Sequence, residues 1–398
     1  MLQYWVWLAE LTQITLMQKH RLLEQFGDPE ELYHTADEKL QKLGITDKDL
    51  QAAEKILTVC ARKGIGILPL ADRAYPGRLR NTTDAPIVLY YKGILPDWDA
   101  VPLIGIVGTR KASAYGLQVS RQMGGQIAAS GGIVVSGGAS GGDTAAMWGA
   151  LDGGYPVVGV LGCGVDVVYP RHNRKLFERT VESGCLISEY APGAPGIPWH
   201  FPARNRIISG VSDGVLVVEA PKKSGALITA QRALEQGRDV FVVPGNIDAP
   251  TCEGSNKLLQ EGAIPAFSGW DVLSHYEFLY PGKLQKHRKM PLYTGESTAQ
   301  KVAQNPIIPV QNSENTENAR KKSIDNRDNS PYIELENNHP ALSQEEQAVL
   351  AQLTRHPQET AELIAKLDMP SGKVLSALTM LTVKGLVCKY PGGRFSLK

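Results

Sequence analysis

The sequence predicts an α/β protein built around a Rossmann-like, doubly wound and mainly parallel sheet. Two observations support this fold class. Between residues 69 and 280, short runs rich in Val and Ile alternate with helical runs, which is the β-α-β repetition of such sheets. The apolar runs do not alternate with polar residues, as is typical of parallel strands that are covered on both faces.

Residues 1–68 are predicted to form a small helical domain. Apolar residues recur at helical spacing up to Phe26, and Gly27 ends this first helix. Further helices are expected over Glu30–Leu43 and Asp47–Arg62. The pattern resembles a helix-hairpin-helix or SAM-like module, which can contact DNA backbones but serves at least as often as a protein contact or packing unit.

The central region, residues 69–280, is predicted to hold the parallel sheet. The expected strands are Leu103–Val107, Ile133–Ser136, Val157–Leu161, Leu186–Glu189, Val215–Glu219 and Val240–Val243, with a further candidate at Ala263–Ala266. The expected helices between them are Tyr115–Ala129, Thr144–Leu151, Arg174–Glu182, Arg206–Val211, Leu227–Glu235 and Ser255–Gln260.

Two further regions follow the sheet. Residues 281–338 are rich in Asn, Gln, Ser, Lys and Pro, a composition that predicts a flexible linker. Residues 339–398 are predicted to form a winged helix, with three helices and a hairpin. The third helix carries only Lys373 and Lys384, which favours a protein contact or weak DNA binding over base-specific recognition.

Composition limits the classes of function. The chain has 398 residues and a formal net charge of +1, so any nucleic-acid site must be a local basic patch. Its five cysteines are scattered and form no C-x-x-C pair, which predicts reduced thiols and neither a disulfide framework nor a zinc site. No apolar run approaches membrane-spanning length, and no secretory leader is recognisable. We expect a cytoplasmic protein without metal, cofactor or membrane span.

The loops after the predicted strands are rich in glycine and polar residues. In an open parallel sheet, ligands bind beyond the carboxyl ends of the strands, where all these loops meet. Glycines let backbone amides approach an oxyanion closely. The sequence contains no G-x-G-x-x-G fingerprint after the first strand and no P-loop, which disfavours NAD binding and NTP hydrolysis. The loops include Gly108-Thr109-Arg110, Ser136-Gly137-Gly138, Gly162-Cys163-Gly164 and Lys222-Lys223-Ser224-Gly225.

The segment that follows the fourth predicted strand is basic. It places Arg204, Asn205 and Arg206 at the predicted start of a helix, where backbone N–H groups and the helix dipole favour an anion. Arginine adds a rigid fork of donors that suits phosphate. Together with Arg110 these residues predict a pocket that holds the phosphates of a nucleic acid without cutting them.

Carboxylates and aromatic residues near this pocket allow two interpretations. Asp143, Glu189 and Glu219 could act on an N-glycosidic bond, but capping helices or pairing with the arginines is the favoured interpretation. Tyr169 and Phe201 could stack on bases, although packing is favoured for each. No catalytic triad or metal cluster is recognisable in the sequence.

The motifs as a set resemble one known family, the DNA-processing protein A family (DprA, also called Smf). The similarity covers the whole predicted sheet region in order, and the helical head and winged-helix tail resemble the long form of the family. The matching segments are Gly108-Thr109-Arg110 with Ser113, Tyr115 and Gly116; Ser136-Gly137; Gly162-Cys163-Gly164-Val165-Asp166 with Tyr169-Pro170 and Asn173; Ser188-Glu189; Phe201-Pro202; Arg204-Asn205-Arg206-Ile207-Ile208; Glu219-Ala220; Ser224-Gly225; Thr229-Ala230; Val243-Pro244-Gly245; Gly254; and Asn256.

This resemblance implies a cytoplasmic protein that binds single-stranded DNA and loads a RecA-type recombinase during natural transformation. It also implies a homodimer formed through the Rossmann-like domain, and no enzymatic activity. The DNA-binding residues implied are Arg110, Ser136, Gly137, Gly138, Arg204, Asn205 and Arg206, with Lys222 or Lys223 adding a phosphate contact.

The chain departs from the family pattern in one loop. The family usually has S-G-x-A-x-G-I-D there, followed by a His, whereas this chain has Gly142 at the Ile position and Met147 at the His position. A role for a histidine at this place is therefore in doubt, but the anion-binding backbone is not.

Two other classes of function stay open. The first is a nucleotide N-glycosidase like the lysine-decarboxylase-like (LOG) proteins, whose P-G-G-x-G-T-x-x-E loop is represented here only by Pro244-Gly245-Asn246. The second is a scaffold whose head and tail recruit partners and whose affinity for DNA is not measurable.

Overall fold

The computed structural model describes residues 1–286, 343–354, 358–367, 369–384, 386–390 and 394–397. The chain divides into two compact units, Met1–Ala299 and Gln300–Lys398. Residues 287–338 of the predicted linker, and the Pro391-Gly392-Gly393 turn of the predicted hairpin, lie outside the described residues. The proposed domain boundaries stay predictions.

The first unit contains a nine-stranded sheet. Its strands are β1 Gly66–Pro69, β2 Val88–Gly93, β3 Leu103–Val107, β4 Ile133–Ser136, β5 Val157–Val160, β6 Cys185–Ser188, β7 Gly214–Val217, β8 Asp239–Val242 and β9 Ile264–Pro265. They lie in the order β1-β2-β6-β5-β4-β3-β7-β8-β9. All neighbouring pairs from β6 to β9 are parallel, whereas β1–β2 and β2–β6 are antiparallel. The Rossmann-like, mainly parallel sheet is confirmed.

Helices cover both faces of this sheet. They are α6 Gly77–Arg80, α7 Ala114–Ala129, α8 Gly142–Asp152, α9 Arg174–Ser183, α10 His200–Val211, α11 Gly225–Glu235, α12 Glu253–Gln260 and α13 Gly269–Leu273. Strand β3 shows why the strands are apolar throughout. Its Ile104 and Ile106 belong to one buried cluster, and its Leu103 and Val107 belong to another. Because both faces are buried, both sets of side chains must be apolar.

The antiparallel strands β1 and β2 are not among the strands predicted from the sequence. Strand β1 is only four residues long, begins at Gly66 and ends at Pro69, and these residue types weaken a strand pattern. Its only strand partner is β2, which in turn pairs with β6. The two strands extend the parallel sheet at one edge.

Helix α10 begins earlier than predicted. It starts at His200 and not at Arg206, with Pro202 in its first turn. Proline is tolerated there because the first N–H groups of a helix have no partner within the helix. The prediction that Arg204 and Arg206 lie at a helix N-terminus is therefore wrong, since both lie inside the helix.

The head contains α1 Leu2–Glu10, α2 Leu16–Phe26, α3 Pro29–Tyr33, α4 Asp37–Lys42 and α5 Gln51–Lys63. The single helix predicted over Glu30–Leu43 is wrong, because extended backbone at Ala36 separates α3 from α4. Helix α1 was not predicted. Its residues Tyr4 to Leu8 are all buried, so it lacks the polar face that marks a surface helix.

The second unit has the elements of a winged helix. They are α14 Gln344–Gln352, β10 Gln358–Glu359, α15 Thr360–Lys366, α16 Ser371–Val383, β11 Val387–Tyr390 and β12 Arg394–Leu397, with the strands in the order β10-β12-β11. The winged helix is confirmed. The Lys373 ammonium lies 3.2 Å from the Glu345 carboxylate and that of Lys384 lies 2.7 Å from Glu346, so both lysines of the third helix are paired.

Helices α7 and α8 pack closely because glycines lie at their contact. A Cβ on Gly149 would collide with the carbonyl oxygen of Arg121, and no atom lies within 4 Å of a Cβ built on Gly225. We expect Gly149→Ala to lower the free energy of unfolding by about 2–3 kcal/mol, because overpacking forces backbone shifts. Gly225→Ala, the matched control, should change it by less than about 0.5 kcal/mol. Urea unfolding followed by circular dichroism measures both, and equal stability of the two variants would contradict this packing.

Candidate nucleic-acid interface

A groove lies at the carboxyl ends of the central strands. Its larger part has a volume of about 430 Å³, and an adjoining recess has a volume of about 50 Å³. Both parts are lined by Arg110, Ala139, Phe201 and Arg204, so they form one continuous groove. The groove lies where open parallel sheets bind ligands.

Most of the predicted site residues line this groove. Those that line it are Arg110, Gly137, Gly138, Arg204, Asn205 and Lys223. Those that do not line it are Ser136, Arg206 and Lys222.

Arg110 is the exposed arginine of the groove. Its guanidinium lies over the ring of Phe201, 5.3 Å from the centroid. The ring of Tyr169 lies 5.1 Å from that of Phe201 at an interplanar angle of 30°, and Tyr169 is 42% exposed. The two aromatic residues therefore pack on each other and also present π-faces beside a cation, which are the groups that bind unpaired bases.

Arg204 is buried behind the groove. Its Nη1 donates to the carbonyl oxygen of Gly137 at 2.7 Å and also to that of Val160. Burial lowers the pKa of Arg204 to about 10, with Asp143 opposing the change, so the guanidinium is charged at neutral pH. A Cβ on Gly137 would lie 2.6 Å from Arg204 Nη2, which explains the glycine. Arg204 is thus a fixed positive charge in the groove wall.

Asp143 joins two loops of the groove. Its oxygens accept hydrogen bonds from the backbone N–H of Gly108 at 3.2 Å and of Ala139 at 3.4 Å. Burial raises the pKa of Asp143, and the positive charge of Arg204 opposes this shift. The carboxylate therefore fixes loop geometry.

The other two carboxylates also have structural partners. Glu219 accepts from the backbone N–H and the hydroxyl of Ser113 at 2.9 and 2.6 Å, where Ser113 caps α7. Glu189 accepts from both terminal nitrogens of Arg206 at 2.7 and 2.6 Å. The interpretation that these residues cap helices or pair with arginines is confirmed for Glu189, whereas Glu219 holds the N-cap residue of α7 and has no arginine partner among the described residues.

The structure does not bring Arg206 to the groove. Its side chain is buried, forms the bidentate pair with Glu189, and donates from Nε to the carbonyl oxygen of Asp84 at 3.0 Å. Burial disfavours its charge, but the pair with Glu189 raises the pKa of Arg206 overall. Each of its three nitrogens donates to a partner within the protein, so the geometry gives no support to a DNA contact.

Ser136 and Lys222 are also placed elsewhere. The hydroxyl of Ser136 is fully buried and donates to the carbonyl oxygen of Ile106 at 2.7 Å. The ammonium of Lys222 lies 3.1 Å from Glu253 on the surface, whereas its neighbour Lys223 lines the groove. Of the two lysines, Lys223 is therefore better placed to contact a ligand in the groove.

Several basic residues around the groove are not among the predicted site residues. Lys111 lines it directly after Arg110. Arg171, Arg174 and Lys175 are exposed just beyond the Tyr169-Pro170 pair that borders the recess. The sequence contains a signal for these exposed residues, because the segment Tyr-Pro-Arg-His-Asn-Arg-Lys is basic and follows the third predicted strand.

The two departures in the second loop have different consequences. A Cβ on Gly142 would lie 3.0 Å from the Cα of Gly108, so the glycine permits a close approach of two loops. Met147 is fully buried and packs beneath Gly138, on the core side of the loop. A side chain at this position faces the core and not the groove.

In the part of the chain that the structure describes, no group of three or more His, Cys, Asp or Glu residues could hold a metal ion. No helix there is long and apolar enough to cross a membrane.

Two family models match this chain. Residues 66–277 match the family described as DNA recombination-mediator protein A, and residues 334–393 match the DprA winged helix domain. The chain belongs to the DNA recombination-mediator protein A family. The resemblance inferred from the loop motifs is thereby confirmed.

Individual relatives support the same family. The chain is 41% identical over 218 residues to DNA processing protein DprA of Bacillus subtilis, covering 55% of this chain and 73% of that protein. It is 34% identical over 328 residues to Protein Smf of Synechocystis sp., covering 81% of this chain and 78% of that protein. Among solved structures, DprA from Streptococcus pneumoniae matches with a TM-score of 0.61 and 34% identity, covering 69% of this chain and 98% of that chain.

Arg206 is buried and paired within the protein, whereas Arg110 is exposed, so loss of the two side chains should affect stability differently. We expect Arg206→Ala to lower the free energy of unfolding by about 3–5 kcal/mol, because it leaves the Glu189 carboxylate without its charged partner in a mostly buried site. Arg110→Ala removes an exposed side chain and should change stability by less than about 0.5 kcal/mol. Urea unfolding of the two variants beside the wild type measures the difference. A stable Arg206→Ala protein would show that the buried pair does not support the fold.

Proposed function

We propose that this chain binds single-stranded DNA in the groove and loads a RecA-type recombinase onto it during natural transformation. The supporting observation is that the basic side chains of the groove are exposed, whereas its carboxylate is buried. Arg110, Lys111 and Lys223 are exposed there, and the acidic side chain among the described lining residues, Asp143, is buried and hydrogen-bonded. A ligand in the groove therefore meets accessible cations, as a phosphate chain requires.

Aromatic faces favour a single strand over a duplex. Tyr169 and Phe201 lie next to Arg110, so a phosphate on the arginine would bring an attached base close to the rings. Bases can stack on protein rings only when they are unpaired, and each base has a π-face. We therefore expect preference for single strands with little base preference.

The exposed basic residues beyond the recess lengthen the positive surface. Arg171, Arg174 and Lys175 follow the cis peptide bond between Tyr169 and Pro170, and they continue from the side of the groove that Tyr169 borders. We propose that the strand leaves the groove over Tyr169 toward these residues. Binding would then release several counterions together and be strongly salt-dependent.

The partners and the cellular location are further parts of the proposal. The family description, recombination mediator, supports delivery of DNA to a recombinase. A homodimer through the Rossmann-like domain would be detected by light scattering at micromolar concentration. All five cysteines are free thiols, which agrees with a cytoplasmic location, and cell fractionation would test it.

Removal of accessible cations should weaken DNA binding without harming the fold. We expect Arg110→Ala and Lys223→Ala each to weaken binding of a labelled single-stranded oligonucleotide about tenfold, for all base compositions. Each should reduce the salt slope by about 0.7 for each phosphate contact that is lost. Fluorescence anisotropy at two salt concentrations, with single-stranded and then duplex DNA, measures both effects. Loading of a RecA-type recombinase on the same oligonucleotide should slow in parallel.

Lys222→Ala is the matched control for Lys223→Ala. The two lysines are adjacent and exposed, but Lys222 does not line the groove, so its loss should have a smaller effect. Unchanged affinity in both Arg110→Ala and Lys223→Ala would refute the groove as the DNA site. No affinity of the wild type for either form of DNA would favour the scaffold hypothesis.

One observation favours the enzymatic alternative. Asp143 lines the groove with a raised pKa, a property of carboxyl groups that donate protons in catalysis. Its oxygens already accept two backbone hydrogen bonds, however, which supports a structural role. We expect no free base when the protein is incubated with nucleoside monophosphates and the products are separated by chromatography. Release of base that Asp143→Asn abolishes would establish N-glycosidase activity instead.

A further inference from the structure

A second polar cavity lies at the opposite end of the sheet from the groove. It has a volume of about 540 Å³. Asp213 and Arg238, which immediately precede β7 and β8, place it at the amino ends of the parallel strands. The lining residues used below are Arg78, Asn81, Thr83, Asp99, Glu235 and Arg238.

One of its two arginines is fully engaged. The Nε of Arg78 lies 2.9 Å from Asp213 Oδ1, its Nη1 donates to the carbonyl oxygen of Trp98 at 2.6 Å, and its Nη2 donates to the Tyr280 hydroxyl. Asp213 also accepts from the Leu103 N–H at 2.8 Å and from the Tyr280 hydroxyl at 3.0 Å. This buried carboxylate therefore forms its ion pair with Arg78 and has no direct hydrogen bond to Arg238 among the described residues.

The other arginine has no ion pair within the described part of the chain. The Nη2 of Arg238 donates to the backbone carbonyl oxygens of Arg78 at 3.1 Å and Gly210 at 3.4 Å. Its Nε is buried, and no described residue accepts a hydrogen bond from it. Burial, and then repulsion from Arg78, lower the pKa of Arg238. The backbone contacts fix this guanidinium in place, and its charge is only partly compensated by attraction to Asp213, which forms its direct ion pair with Arg78.

The carboxylates at the rim of the cavity do not form an ion pair with Arg238. Asp99 lies 3.4 Å from Arg78, but its side chain is 75% exposed and its charge is screened by solvent. Glu235 lies 2.9 Å from Arg232 on the surface. Two guanidiniums thus share one buried carboxylate, and a bound anion would lower the energy of the site.

We propose that this cavity binds a phosphate group carried by a small molecule, such as a nucleoside monophosphate. A fixed guanidinium suits phosphate because it stays charged, and Nη1 of Arg238 is the nitrogen that the contacts to the Arg78 and Gly210 carbonyls leave for a ligand. The Asn81 amide and the Thr83 hydroxyl, both exposed on the wall, supply neutral donors beside it. The site lies at the other end of the sheet from the groove, so the inference does not depend on the proposed DNA binding.

The competing explanation is that Arg238 serves only the fold. Gly210 belongs to the last turn of α10, and basic side chains often bind the last carbonyl groups of a helix. Replacing Arg238 could therefore unfold the protein and would not distinguish the two roles. Asn81 is exposed on the cavity wall, so a negative charge there should repel an anion without loss of packing.

The test is isothermal titration calorimetry of the full chain with inorganic phosphate and with thymidine 5′-monophosphate, in low-salt buffer free of phosphate. We expect submillimolar binding by the wild type and at least tenfold weaker binding by Asn81→Asp. Gln51→Glu, on the exposed face of α5, adds the same charge elsewhere and should bind like the wild type. Arg110→Ala should also bind like the wild type, while losing affinity for single-stranded DNA.

Four outcomes would overturn the proposal. Absence of phosphate binding by the wild type, with DNA binding unchanged in Asn81→Asp, would mean that Arg238 has only a structural role. Equal binding by Asn81→Asp and the wild type would place the phosphate outside this cavity, and loss of binding in Arg110→Ala would place it in the groove. Weaker DNA binding by Asn81→Asp without phosphate binding by the wild type would assign the cavity to a DNA strand. Because Arg110→Ala and Asn81→Asp affect different ligands, failure here is separable from failure of the groove.

Discussion

The buried guanidinium of Arg204 is the constraint on which the groove depends. It joins α10 to the loop after β4 and to the last residue of β5 through the carbonyl oxygens of Gly137 and Val160. A buried charge is costly unless it is paired and hydrogen-bonded, so its surroundings must supply acceptors and an opposite charge. Asp143 supplies the opposite charge and fixes the loops after β3 and β4 through Gly108 and Ala139. Gly137 leaves space for both side chains.

The arginines that the sequence assigned to one pocket have two different roles in the structure. Arg204 and Arg206 hold backbone and carboxylate partners, and they are buried. Arg110 is exposed and contacts an aromatic ring, so its donors can bind a ligand without breaking a buried pair. Rigid loops around an exposed cation reduce the ordering cost of binding. Arg204 therefore serves the groove by holding its shape, whereas Arg206 stabilises the fold outside the groove.

The sequence predicted the parallel strands well because burial on both faces leaves an apolar run that local inspection can recognise. It predicted the loops of the groove for the same reason, since each follows such a run. The sequence could not show which basic side chains line the groove and which form ion pairs within the protein. Whether Arg206 binds phosphate or a carboxylate depends on Glu189, which directly follows β6 and lies 17 residues before Arg206 in the chain. Lys222 and Lys223 are equivalent in sequence and differ only in the direction of their side chains.

The start of α10 was misjudged for a related reason. Proline and bulky aromatic residues before Arg204 suggest a loop, whereas proline at a helix start is compatible with the backbone. A local pattern cannot distinguish these cases, because tertiary packing of Phe201 against Arg110 and Tyr169 decides between them.

The helical head is part of the structure that shapes the groove. The ammonium of Lys63, the last residue of α5, lies 2.5 Å from Asp166 Oδ2, and Asp166 Oδ1 accepts from the Gly193 N–H at 2.8 Å. Asp166 therefore joins the head to two loops, one of which continues to Tyr169. His20 makes a further contact, 2.7 Å from its Nε2 to the carbonyl oxygen of Ala85. Of the alternatives that the sequence left open for the head, these contacts favour a packing unit, because they fix the loop that carries an aromatic wall of the groove.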